Sequence, residues 1–399
     1  MSEVKDLSVT MVCNARLPSK KAHPWQVVQM WEAFEKVGAD PQLLYPFRFQ
    51  RDEVLDACGR KFWTYYDMNE EARSVRLPTV DLFPLLEMLP VFLKSYSRIQ
   101  QLSFAVASAL WFQPDTRKNN VIWSREILAL PFFRKWYPQV PLFYEMHRFP
   151  GSCVGQQLSY LSKTAGIICL TEGLKAKLME HLYPEDKILV EADAWSTRLY
   201  KKLPPKEEAL AKLSLNNNKK KVLYTGHLYR WKGVDSVVEA MRTLPQYEAH
   251  LVGGVAEDRE ALKRRHPQWP SNVLMYEHVP PQEVPYWLAV ADVAVVPNSA
   301  ETLLSREYTS PLKLFEILAA GVPLIASDLP SLREIISEES ATLAKADDPK
   351  SWTEAIQNVL ENSEKVVVKA KIGQQLVAQH TWGKRAERIT AFMQEKSIQ

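Results

Sequence analysis

Short apolar runs alternate with amphipathic stretches along the chain. Leu7–Cys13 is apolar enough for a buried strand, and the polar segment 14–23 reads as the loop after it. From Gln26 to Val37 the apolar residues Val27, Met30, Trp31, Phe34 and Val37 repeat at the spacing of one helix face, which Gly38 ends. Further strands are predicted at Val121–Ser124, Val140–Met146, Gly166–Leu170 and Ile188–Val190. Helices are predicted over 91–112, over Arg125–Arg134, and from Thr171 through Leu174, Leu178 and Leu182. Residues 45–80 mix aromatic and charged side chains without a readable period, and Pro78, Pro84 and Pro90 punctuate the segment leading to the 91–112 helix.

The charged, proline-containing stretch 201–221 separates this half from a second series. There strands are expected at Lys221–Thr225, Ala249–Gly253, Val273–Tyr276, Val293–Pro297 and Val322–Ala326, with helices over 233–244, 257–265, 281–290 and 311–320. Strict β-α alternation is the pattern of a doubly wound parallel sheet, so two Rossmann-like α/β domains are predicted, 1–198 and 199–381.

Chemistry concentrates between Tyr308 and Ile336. Ser310 suits an N-cap, Pro311 the first helical position, and Gly321 the close of the helix. In such sheets ligands bind beyond the carboxyl ends of the strands, where a helix N-terminus presents free N–H groups to an anion. Lys313 and Glu316 share a face of this helix: a cation for phosphate and a carboxylate for two ribose hydroxyls. A plain surface ion pair is the competing reading. Upstream, GHLYRWKG follows a strand and precedes a helix as a phosphate cradle does, with Gly226 freeing the turn, Gly233 opening the helix, and Arg230 and Lys232 supplying charge. Dinucleotide and P-loop glycine motifs are absent at the strand ends. In the first half, the loop before the Gln26 helix carries Arg16, Lys20, Lys21 and His23, either an acid-binding acceptor subsite or a solvated basic loop.

A net charge of +3 over 399 residues gives no electrostatic case for nucleic acid. Cys13, Cys58, Cys153 and Cys169 show neither zinc spacing nor a disulfide framework, so reduced thiols are expected. The N-terminus lacks the pattern of a signal peptide, and no uncharged apolar run spans a bilayer, which together predict a cytoplasmic protein. Phe62, Trp63, Trp111, Phe132, Phe133, Arg134, Lys135 and Trp136 would let the first half dock peripherally on the inner face of a membrane, although core packing accounts for most of them too.

The run SPLKLFEILAAGVPLIASDLPSLREII resembles the donor-binding signature of retaining glycosyltransferase family 4, whose fold is GT-B. The resemblance recurs in VLYTGHLYRWKGVD, ADVAVVPNS, YEMHRFPG and TWGKRAERI and covers most of the chain. It implies two Rossmann-like domains facing across a cleft, the N-terminal one completed by a helix over 382–399. It further implies transfer of a sugar from a nucleotide-diphosphate sugar to a glycan, lipid-linked or other small acceptor, as in polysaccharide biosynthesis, with retention of configuration. The donor would lie against Gly226, His227, Arg230, Lys232, Tyr308, Ser310, Pro311, Leu312, Lys313 and Glu316. Lys232 matches the family's diphosphate lysine and Glu316 its ribose glutamate, while His147 matches a histidine facing the reacting sugar. His227 stands where relatives have an arginine that Arg230 would replace, and Tyr308 stands where they have a first glutamate. The leaving diphosphate would take the acceptor proton, so neither a metal nor another cofactor is expected. A binding protein without turnover, for which His227 and Tyr308 argue, and a nucleotide-sugar epimerase are the alternatives.

Overall fold

The computed structural model describes residues 6–48, 62–68, 72–81, 93–151 and 153–397. Pro84, Pro90, Cys58 and the charged run 49–61 lie outside the described residues. The chain divides into two units, one of Met1–Leu170, Leu174–Glu191 and Trp382–Gln399, the other of Thr171–Gly173 and Ala192–Thr381. Residues 192–198 go with the second unit. Trp195 ties them there: its backbone N–H donates to His380 O at 3.0 Å and its indole to Val377 O at 2.8 Å.

The first unit is built on β1 (Leu7–Val12), β2 (Asp40–Pro46), β3 (Ser74–Leu77), β4 (Asn119–Ser124), β5 (Leu142–Met146), β6 (Gly166–Cys169) and β7 (Ile188–Val190). They form one sheet in the order β3-β2-β1-β4-β5-β6-β7, parallel throughout. Chain order reverses between β1 and β4, where Val9 pairs with Val121, and the polar residues after both strands meet at that edge. The Ala22–Lys36 and Trp382–Ser397 helices pack together on this sheet, so the end of the chain completes its first unit. Strand β2 escapes the sequence pattern because Pro41 and Pro46 bracket it, although Leu43, Leu44 and Tyr45 are fully buried. The helix expected over 125–134 spans Leu130–Trp136 instead. Arg125 N–H still bonds across the sheet to Val12 O at 3.2 Å, and Glu126 N–H donates to Ser124 Oγ at 3.0 Å, which holds 125–129 as a turn.

The second unit carries β8 (Lys221–Thr225), β9 (Glu248–Val252), β10 (Val273–Tyr276), β11 (Val293–Val296), β12 (Leu324–Ser327) and β13 (Thr342–Ala344), again all parallel, in the order β10-β9-β8-β11-β12-β13. Along β8, Val222 and Tyr224 enter one core cluster, with Trp352 and Val237, while Leu223 enters the other, with Trp287 and Leu314. Both faces are covered, which is why these strands read as continuous apolar runs.

Candidate functional site

In the second unit the candidate side chains gather where β8 ends beside the Leu312–Ala319 helix. Gly226 ends the strand at φ +127°, and a Cβ there would lie 3.0 Å from Lys313 Nζ. Only glycine leaves the lysine this space. Lys313 is buried, its Nζ lies 3.6 Å from the Tyr224 ring centroid, and that ammonium has no hydrogen-bond partner among the described residues. Burial, reinforced by the nearby Lys232 and opposed by Glu316, holds the Lys313 pKa well below the ordinary lysine value. Lys232 is half-buried, 3.9 Å from the Trp231 ring centroid, and burial lowers it to about 8 despite Asp193. Two desolvated lysines within electrostatic reach of each other favour a polyanion, which would restore both charges.

Glu316 follows Lys313 on the same helix. Burial pushes its carboxyl up to about 7, with the Tyr200 hydroxyl beside it and Lys313 pulling down and Asp193 pushing further up. Gly233, at φ +68°, brings the backbone at the head of the next helix so close to β11 that a Cβ would lie 1.8 Å from Pro297 O. One residue on, Asn298 is fully buried and neither carboxamide atom has a hydrogen-bond partner among the described residues.

Two details depart from the sequence pattern. Ser310 does not cap its helix: its Oγ accepts from Asp193 N–H at 2.9 Å. Pro311 takes the cap position with extended backbone, and the helix starts at Leu312 with no side-chain cap, leaving its first N–H groups available. Arg230 does not join the lysines, being solvent-exposed and paired with Glu301 at 3.1 Å. His227 stacks on Tyr229 with ring centroids 4.9 Å apart, its Nδ1 3.7 Å from Asp258. Tyr308 is buried, immediately after the Leu303–Glu307 helix.

In the first unit His147 follows β5, and its Nε2 lies 2.7 Å from Glu145 Oε1. Glu145 is fully buried. Burial would raise its pKa, but Arg385, whose Nη2 donates to the other oxygen at 2.9 Å, outweighs this together with His147 and Arg125 and keeps the carboxyl well below the usual range. His147 itself is lowered to about 4 by burial and by Arg125, against the pull of Glu145. A neutral imidazole beside a carboxylate must donate from Nε2, which leaves Nδ1 as an acceptor. His23, at the start of the Ala22–Lys36 helix, lies within electrostatic reach of His147; burial, with Arg125 and His147, lowers its pKa, and its Nε2 has no partner among the described residues. Arg16 is half-buried, whereas Lys20 and Lys21 are exposed. The loop is anchored by Ser19, whose N–H donates to the Tyr66 hydroxyl at 2.9 Å while that hydroxyl donates back to Ser19 O at 3.0 Å. No helix among the described residues is long and apolar enough to cross a membrane.

Residues 219–362 match the family model described as Glycosyl transferases group 1. TuaH of Bacillus subtilis, described as a putative teichuronic acid biosynthesis glycosyltransferase, is 30% identical over 89 residues, 22% of each chain. A D-inositol 3-phosphate glycosyltransferase of Nocardioides is 22% identical over 222 residues, 50% of this chain and 47% of the relative. The chain covers less than half the length of each of these relatives. Among solved structures, sucrose-phosphate synthase from Thermosynechococcus elongatus superposes with a TM-score of 0.71 at 20% identity over 98% of both chains. Anabaena HepE, solved in complex with UDP and glucose, gives 0.71 at 14% identity over 97% of this chain and 99% of that one. These likenesses establish the fold, which is GT-B.

Proposed function

From a chain that carries a Glycosyl transferases group 1 domain over residues 219–362 in a GT-B fold, we propose a retaining glycosyltransferase that moves a sugar from a nucleoside diphosphate sugar to a glycan, lipid-linked or other small acceptor. One observation carries this reading: Lys232 and Lys313, both desolvated and mutually repelling, stand at the carboxyl edge of a doubly wound sheet with Glu316 one turn further along. The spacing suits a nucleoside diphosphate, the lysines and the uncapped helix start taking the phosphates and Glu316 the ribose. The UDP complex of Anabaena HepE agrees with it.

Negative charge grows on the diphosphate as the glycosidic bond breaks, and the two ammonium groups stabilise it most at that point. The departing phosphate oxygen takes the acceptor proton, with attack from the same face giving retention. His147 stays neutral and accepts a hydrogen bond from a sugar hydroxyl at Nδ1. Tyr308 helps choose the sugar, the His23 loop receives the acceptor, and no metal is needed. The acceptor belongs to polysaccharide assembly at the cytoplasmic face of a membrane.

The test is a panel of UDP-, GDP- and ADP-sugars assayed without acceptor in the presence of a chelator. Slow release of free sugar in the α-anomer from an α-linked donor supports the proposal. No consumption of any donor points to a binding protein, an altered nucleotide sugar to an epimerase, and dependence on added metal removes the metal-free mechanism.

A further inference from the structure

The strand ends of the first unit hold a second polar cluster beside His147. Asn14, just after β1, and the buried Gln100 exchange hydrogen bonds at 3.1 Å in both directions. Arg48, just after β2, donates from Nη2 to the same Gln100 oxygen at 3.0 Å, which anchors one end of its guanidinium. Its Nε is buried and has no hydrogen-bond partner among the described residues. The Asn14 backbone N–H donates to Glu126 Oε1 at 3.2 Å, just after β4. Arg148, two residues past β5, is exposed, and no ion pair or hydrogen bond to it occurs among the described residues.

Among the described residues the charges in this cluster do not balance. Glu145 is taken up by Arg385, and Glu126 lies within electrostatic reach of both Arg48 and Arg148. Burial pushes Glu126 up to about 7, against the Asn14 N–H and Arg125, Arg48 and Arg148, so near neutral pH it cancels only part of one positive charge. A buried guanidinium N–H after β2 and an arginine after β5 with no partner among the described residues flank the β1/β4 switch point, and together they are the donor set of an oxyanion site.

We propose that Arg48 and Arg148 bind an acidic group, a phosphomonoester or a carboxylate, carried by the acceptor. This rests on the acceptor role given above to the first unit. The acid would tether the acceptor at the strand ends while its reacting hydroxyl remains beside His147. Lysines could supply charge there, but a planar guanidinium anchored on Gln100 supplies directed donors as well.

The experiment measures binding of glucose, glucose 6-phosphate and glucuronate to the full chain saturated with UDP, and to the Arg148→Gln, Arg48→Gln and doubly substituted forms. The expected result is at least tenfold tighter binding of one acidic sugar than of glucose, with a loss of at least fivefold for Arg148→Gln and collapse to the glucose value for the double variant. Preference between the two acids tells phosphomonoester from carboxylate. Equal binding of acidic and neutral sugars, no binding of either acid, or an acid preference that survives in the double variant would each overturn the proposal. UDP affinity is measured first on each form: its absence from the native chain counts against the donor reading alone, and its retention in the variants shows that the second unit is intact.

Discussion

Raising the pH from 7 to 9 should weaken nucleoside diphosphate binding, by an amount that Lys232 dictates. In the free protein burial holds Lys232 at about 8, and Asp193 restores only part of the shift. A bound diphosphate supplies the missing counter-charge and returns the lysine toward its ordinary value, so binding takes up a proton wherever the pH exceeds the free value. Below pH 8 Lys232 is already charged and contributes no dependence. At pH 9 about one lysine in eleven is charged before binding, which weakens affinity roughly tenfold, about 1.4 kcal/mol. Lys313, pulled down by burial and by Lys232, acts in the same direction and steepens the curve. Calorimetric titration with UDP at pH 7, 8 and 9, in two buffers of different ionisation enthalpy, reads both the affinity and the protons taken up. Lys232→Arg, whose charge is fixed, should bind with less pH dependence and take up one proton fewer at pH 9. Equal native affinity at pH 7 and pH 9, or an unchanged slope in the arginine variant, would refute the reasoning.

Glu316→Ala should weaken UDP binding by about 1.5–3 kcal/mol, the scale of a charge-assisted hydrogen bond, and abolish discrimination between UDP and its dideoxyribose analogue in the same titration. His147→Ala should leave UDP affinity intact and lower turnover by about 10²-fold, because an acceptor toward the sugar touches nothing in the nucleotide; steady-state kinetics beside calorimetry separates the two. Arg385→Met strands the Glu145 charge in the core and should cost about 3–5 kcal/mol in urea unfolding, much of it recovered when Glu145→Gln is added, since the charge itself is then gone. Tyr308→Phe should shift the ratio of turnover rates among UDP-sugars without changing UDP affinity, and an unchanged ratio would assign that residue to packing.

The elements of the second unit were legible because their determinants are local. Gly226, Lys232, Lys313 and Glu316 sit on strand-loop-helix connections whose period and glycines can be counted along the chain, and these are the residues that gather at the end of β8. Spacing could not decide which side chains remained available for a ligand. Ser310 has every quality of a cap, yet a backbone N–H 117 residues away takes its oxygen. Arg230 and Lys232 are separated by one residue in a short 3-10 turn that leaves the first in solvent and desolvates the second. The ionic setting of His147 was hidden for the same reason: Glu145 stands in plain view two residues before it, but the arginine that keeps it ionised lies 240 residues away. Asn298 and Glu126 carry no motif, and only the buried, unsatisfied or displaced state of their side chains singles them out.

The pairing of Arg385 with Glu145 also imposes an order on biosynthesis. The ribosome makes β1 to β7 first, then Ala192–Thr381 of the second unit, and only afterwards the helix that holds Arg385. Until residues 382–397 emerge, the first sheet lacks the helix that packs on Ala22–Lys36 and the cation that its most buried carboxylate requires. His147 therefore acquires its fixed tautomer last, and the nascent chain carries a complete second sheet while its other half is still incomplete. Exchange of the first unit between relatives would have to move both stretches together, since a graft that ended at Glu191 would leave a stranded charge where the histidine needs its anchor.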